Sequence, residues 1–133
     1  MSEPLSFDVL EKAIAALEEG LREHEQYPQL LTVRDGVIQR FEVAMDLSRK
    51  MILRVLKEKF ALDDISANNK TFIREGAKYG LIADAESWMR HLEARNKTSH
   101  TYDAPLAARV FAEIPAFIPD ARDLLNRLKN ALA

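Results

Sequence analysis

Apolar residues recur along this chain at alternating three- and four-residue steps, the spacing that keeps them on one face of an α-helix. In the first segment the series is Phe7, Leu10, Ile14, Leu17 and Leu21. Ser6 is placed to cap its start, Pro28 marks its end, and Gly20 is expected to weaken the helix over residues 22–25. The strongest pattern comes next: Ile38, Phe41, Met45, Ser48, Ile52 and Val55, widened by Val37, Ala44, Met51 and Leu56. Asp35, Gln39, Glu42, Asp46 and Lys50 fall on the other side. This predicts a helix over 33–60, about 42 Å long at 1.5 Å per residue. Thr32 is the expected cap, with Asp35 at the capping-box position.

Residues 62–70 are mostly polar and contain Asp63-Asp64 and Asn68-Asn69, which reads as a loop. A short helix is predicted over 71–79, with Gly80 as its left-handed cap and Leu81 as the accompanying apolar contact. Asp84 is placed to cap a fourth helix whose stripe is Ala85, Trp88 and Leu92. Asp103 and Pro105 open the last one, with the stripe Val110, Ile114, Phe117, Ala121, Leu124, Leu125, Leu128 and Leu132. Pro115 and Pro119 inside that stripe predict a kink rather than a stop. There is no internal repeat or linker. The expected architecture is all-α: one domain over 1–133, an antiparallel four-helix up-and-down bundle with one additional short helix.

Composition narrows the chemistry. Gly 4 and Pro 5 in 133 residues are too few for the turns of an all-β domain. Cys 0 excludes a disulfide framework, thiolate metal sites and cysteine nucleophiles. The acidic, amphipathic N-terminal segment has neither the basic nor the apolar region of a signal peptide. No apolar run approaches the roughly 18 residues of a membrane span. A cytoplasmic protein without membrane attachment is therefore expected. The net charge of −2 conceals an asymmetry. Residues 1–33 hold two basic and seven acidic residues, whereas 34–109 hold fourteen basic and eleven acidic. A solvated bundle surface accounts for so mild an excess. The functional alternative is a basic groove built from Arg34, Arg40, Lys70, Arg74, Arg95 and Lys97.

The segment from Arg95 to Asp103 is not generic. Seven residues nearly close two helical turns, so Arg95 continues the line of Trp88. A guanidinium on a core-facing line needs a partner or a wet groove, because it cannot be neutralised. Glu42 or Asp46 of the long helix could supply that partner. His100 lies about 140° further round an ideal helix, so the two side chains converge only if the helix ends near Thr98 or a second subunit completes the site. The stretch from Asn96 to Thr101 lacks apolar residues, which suits a polar pocket at a helix end.

Arg95, His100 and Tyr102 form Arg-x-x-x-x-His-x-Tyr, and this resembles the signature of HEPN-domain proteins of the HepT type. The stretch from Arg34 to Glu42 is similar to the start of the long helix in the nucleotidyltransferase substrate-binding proteins of that group. Ile73-Arg74-Glu75-Gly76-Ala77, Gly80-Leu81-Ile82 and Trp88 fit as well, so the resemblance covers roughly residues 5–130. Ser48-Arg49-Lys50 departs from it, since an aromatic is expected before the lysine. The resemblance implies a dimerising helical bundle that works beside a small nucleotidyltransferase from an adjacent gene. It also implies a metal-independent ribonuclease toxin with that enzyme as antitoxin. Arg95 and His100 become the implied catalytic pair, and Tyr102 the implied site at which the partner attaches AMP. Asn96, Lys97, Ser99, Arg34, Arg40 and Arg74 are candidates for the substrate groove. The other reading the family offers is a non-catalytic subunit that presents a nucleotide or other ligand to the nucleotidyltransferase.

The chemistry is feasible with these residue types. RNA is cleaved without metal when the 2′-OH is deprotonated and the leaving 5′-oxygen protonated, and histidine suits both tasks. A two-fold dimer would place two copies of His100 around one cleft, while Arg95 binds the scissile phosphate. No cofactor or metal is expected. Asp63-Asp64 lacks the further oxygen ligands of a calcium loop and reads as a turn. No Gly-Ser nucleotidyltransferase motif is present, so the chain is not expected to be the transferase itself. His24 reads as solvated. His91, one turn before Arg95, reads as surface decoration, with a place in the groove as its alternative.

Overall fold

The computed structural model describes residues 6–62 and 70–133. Among these the chain forms α1 (Asp8–Gln26), α2 (Leu31–Phe60), α3 (Thr71–Lys78), α4 (Ala85–Asn96), a 3-10 turn (Thr98–His100) and α5 (Ala104–Ala131). The long helices α1, α2 and α5 and the shorter α4 make the antiparallel bundle, with α3 as the additional short helix. Helix α2 packs against each of the other four helices. All ten apolar-seam positions predicted for α2 are buried, including Ser48, whose hydroxyl donates to the Ala44 carbonyl at 2.8 Å. The expected Asp63-Asp64 turn and Asn68-Asn69 lie outside the described residues.

Phe117 is the pivot of the core. Phe41 of α2, Trp88 of α4 and His91 of α4 all meet its ring edge-on, with centroids 5.1, 5.6 and 5.3 Å away. Edge-to-face pairs of this kind add about 0.5–1.5 kcal/mol beyond their area burial. They fix α4 against both α2 and α5.

Helix ends depart from expectation in α1 and α2. Phe7 rather than Ser6 occupies the cap position of α1, and the Ser6 hydroxyl instead accepts from the Asp8 amide at 3.3 Å. Helix α2 begins at Leu31 with Leu30 as its cap, which puts Thr32 inside the first turn. Asp35 is bound by the Arg34 guanidinium at 3.0 Å and caps nothing. Gly20 does not end α1, which continues to Gln26. A Cβ there would stand 3.1 Å from Val37 Cγ2, so the missing side chain lets α1 approach α2 closely. The other end signals behave as expected. Gly80 takes φ +80, while Asp84 and Asp103 accept from the amides of Ser87 and Leu106, each at 3.2 Å. Helix α5 runs through Pro115 and Pro119, both on its exposed side.

Candidate functional site

The exit of α4 is built by position. Trp88 and Leu92 are buried, so the same face of α4 delivers Arg95 toward α2 just before the helix ends. There the guanidinium meets two carboxylates of α2. Nε and Nη2 donate to the two oxygens of Asp46 at 2.9 and 3.0 Å, a bidentate fork, and Nη1 lies 3.4 Å from Glu42. Nη1 also donates to the Thr98 hydroxyl at 3.0 Å. That hydroxyl has one proton to give and two acceptors in reach, Glu42 at 2.9 Å and the Arg95 carbonyl at 2.8 Å. The bonded carboxylate of Asp46 foremost, with the charges of Asp46 and Glu42, holds the Arg95 pKa above its ordinary value, against the opposing effect of partial burial. The side chain remains 27% exposed, and three of its five N–H groups are committed, one each from Nε, Nη1 and Nη2.

The helix stops at Asn96, and Lys97 caps it before the 3-10 turn carries the chain through His100. This supplies the early helix end that the Arg95–His100 spacing requires. His100 and Tyr102 are both exposed, Tyr102 to 85%. Their rings meet edge-on, with the phenol oxygen 3.3 Å from His100 Nδ1. Arg95 is thus tied to α2, while His100 is tied to Tyr102.

His91 corrects the expectation of surface decoration. It is fully buried, with Nδ1 2.9 Å from Glu113 and Nε2 2.6 Å from Asp120, both on α5. A neutral ring has one N–H and serves only one of these carboxylates, whereas the doubly protonated ring serves both. His91 stands three residues after Trp88 and one before Leu92, so helical spacing itself puts it on the buried face. Acids at Glu113 and Asp120, seven apart and therefore on one line of α5, were a second signal. His24 is likewise half-buried rather than solvated, its ring 4.3 Å from that of Phe111.

The basic candidates do not form one groove. Arg40 points to α1 and donates to the Ala16 carbonyl at 2.7 Å, and Arg34 is held by Asp35 at the start of α2. Lys97 pairs with Glu93 at 3.1 Å and lines a hollow between α4 and α5, while Ser99 is exposed on the 3-10 turn. Lys70 and Arg74, with Asn96, do share a cleft, between α3 and α4. Among the described residues, no group of three or more histidine or carboxylate side chains is arranged to hold a metal ion, and no helix is long and apolar enough to cross a membrane.

A helical bundle with this polar exit on α4 defines a recognisable class. Residues 5–130 match the family described as nucleotidyltransferase substrate binding protein like, and the chain belongs to that family. It is 34% identical over 140 residues to a Haemophilus influenzae protein named probable ribonuclease HepT, covering 98% of this chain and 96% of that one. A solved H. influenzae structure is described as revealing the fold of a substrate binding domain of a nucleotidyltransferase. It superposes with a TM-score of 0.82 at 33% identity, over 93% of this chain and 99% of the other. A crystal structure from Thermus thermophilus superposes with a TM-score of 0.75 at 32% identity, over 90% and 98%.

Proposed function

We propose that this chain is the partner subunit of a small nucleotidyltransferase and a metal-independent endoribonuclease, the toxin of a two-gene pair, acting as a homodimer in the cytoplasm. The observation that carries this reading is the exit of α4. An oriented guanidinium, Arg95, and an exposed imidazole, His100, stand five residues apart across a helix end. The name of the H. influenzae relative supports it.

The reaction needs three services from these residues. The 2′-oxygen attacks phosphorus, the P–O5′ bond breaks, and a 2′,3′-cyclic phosphate remains. One His100 takes the 2′-OH proton, and the His100 of a second copy gives a proton to the leaving 5′-oxygen. Arg95, held rigid by Asp46, donates its remaining N–H groups to the non-bridging oxygens. Tyr102 is the attachment point for AMP. Its phenol oxygen displaces pyrophosphate from ATP held by the partner, and the phenolic proton passes to solvent or to His100 Nδ1. A phosphodiester on that oxygen adds charge and bulk beside His100 and switches the site off.

Purified protein cleaving RNA in EDTA, with His100→Ala inactive, is the expected result; equal activity in the two proteins defeats the mechanism. A strictly monomeric mass at micromolar concentration removes the two-histidine scheme. One observation favours a second reading. Arg95 is already engaged by Asp46, Glu42 and Thr98, which suits a non-catalytic subunit presenting a ligand to the nucleotidyltransferase. Co-purification with that enzyme and no turnover by the isolated subunit would select it.

A further inference from the structure

The surface beside the α4 exit carries a second feature, the cleft between α3 and α4. It encloses about 510 Å³ and is lined by Arg74 from α3, and by Met89, Arg90 and Asn96 from α4. At Leu92 and Asn96 it adjoins a smaller pocket of about 170 Å³, whose walls include Arg49 and Arg95. Arg49 is anomalous there. Its guanidinium sits 6.0 Å from the Phe72 ring, and its Nε is buried without a hydrogen-bond partner. A buried donor left unpaired is costly, and since Nε is closed to solvent, an anion in the pocket would be met by the outer nitrogens of the same guanidinium.

The charge balance of the cleft is one-sided. The carboxylates on its walls, Asp46 and Glu93, are paired with Arg95 and Lys97. Arg90 donates to the Ser87 hydroxyl, a neutral acceptor, and makes no ion pair among the described residues. Arg74 is exposed and makes no ion pair among the described residues. Three guanidiniums therefore follow one path that ends at Arg95, and guanidiniums match phosphate oxygens in a bidentate fork. The one aromatic among the described residues of these walls, Phe72, is buried, so they offer no exposed ring on which bases could stack.

We propose that the α3–α4 cleft binds the sugar-phosphate backbone of single-stranded RNA and leads the strand to the Arg95–His100 site, through Arg49, Arg74 and Arg90. The assignment of RNA rests on the ribonuclease reading above; the anion site itself rests on the three arginines. Recognition is by charge and independent of sequence, because the contacts go to phosphates rather than bases.

The test is fluorescence anisotropy with a 2′-O-methyl oligoribonucleotide, which binds but has no 2′-OH to be cleaved. Arg74→Glu/Arg90→Glu is expected to weaken binding at least tenfold. It should also flatten the plot of log affinity against log salt by about 1.4, roughly 0.7 for each lost phosphate contact on a single strand. Arg49→Met, which keeps the apolar stem over Phe72, is expected to weaken binding by about threefold to tenfold. Arg54→Glu, a similar charge change on the exposed side of α2, is the control and should leave binding within twofold. Thermal melting of each variant separates lost binding from lost folding. Failure of the unmodified protein to bind the oligonucleotide, or binding by the double variant equal to that of Arg54→Glu, overturns the proposal. Loss of the nucleotidyltransferase complex with RNA binding intact would also overturn it, assigning the cleft to the protein partner. Cleavage of ordinary RNA is scored separately. If it is absent while the double variant still loses oligonucleotide binding, the ribonuclease reading fails and the backbone site stands.

Discussion

Helix α4 carries a histidine and an arginine one turn apart, and each is bracketed by two carboxylates from another helix. His91 meets Glu113 and Asp120 of α5, whereas Arg95 meets Glu42 and Asp46 of α2. The difference is burial. His91 is wholly inside, with Trp88 and Phe117 against its ring, while Arg95 is 27% exposed and Asp46 59%. A buried polar group is held because leaving any member unpaired is expensive. A partly exposed pair can loosen at little cost, since water replaces the lost partner. The inner cluster therefore pins α4 to α5, and the outer one aims a guanidinium while leaving some of its donors available.

The comparison can be broken most directly at His91. His91→Ala empties a filled core position and takes away the partner shared by Glu113 and Asp120, themselves 26% and 28% exposed, at a cost of roughly 3 kcal/mol. Thermal unfolding should fall by about 10 °C or more. A shift of only a degree or two would show that the buried cluster does not hold the helix.

Arg95→Ala comes next. A partly solvated pair is worth about 1 kcal/mol, so melting should fall modestly while RNA cleavage disappears. A stability loss as large as that of His91→Ala would make Arg95 structural and erase the contrast. Because Asp46 raises the Arg95 pKa, the pair's stabilisation is present below the arginine's unfolded pKa and lost only as pH rises through the still higher folded value. Unfolding followed between about pH 6 and 9 should show no titration from this guanidinium.

Asp46→Asn tests aim rather than charge. It keeps one acceptor for the fork and removes the anion, so stability should change by less than about 1 kcal/mol. If rigid orientation matters, kcat should drop by about tenfold or more with KM little changed. The smallest structural effect belongs to Tyr102→Phe. An 85% exposed ring can lose its hydroxyl within about 0.5 kcal/mol. Mass spectrometry after incubation with the nucleotidyltransferase and ATP should then show no AMP adduct, and an adduct of unchanged yield would place the modification elsewhere.

Much of the bundle was legible because helix formation leaves a local trace. The α2 seam from Val37 to Leu56 is buried as its spacing predicts, and Asp84, Asp103 and Gly80 serve as the end signals they resemble. Starts without a side-chain cap, at Phe7 and Leu30, were not legible, because without a capping side chain they leave no local signal to read. At the site, the motif named Arg95, His100 and Tyr102, and the line through Trp88 anticipated a carboxylate partner in Glu42 or Asp46. Arg34 and Arg40 were misleading members of a basic set, since charge counted along the chain carries no information about which helix face it occupies.

Sequence alone determined the helices, the face each buries and the polar break after Asn96, because all of these follow from periodicity within a few residues. Tertiary structure decided what its charges do. The partners of His91 lie 22 and 29 residues away and the fork on Arg95 reaches 49 residues back, so only the docking of α4 against α2 and α5 could settle which side chain became a core pin and which stayed at the surface.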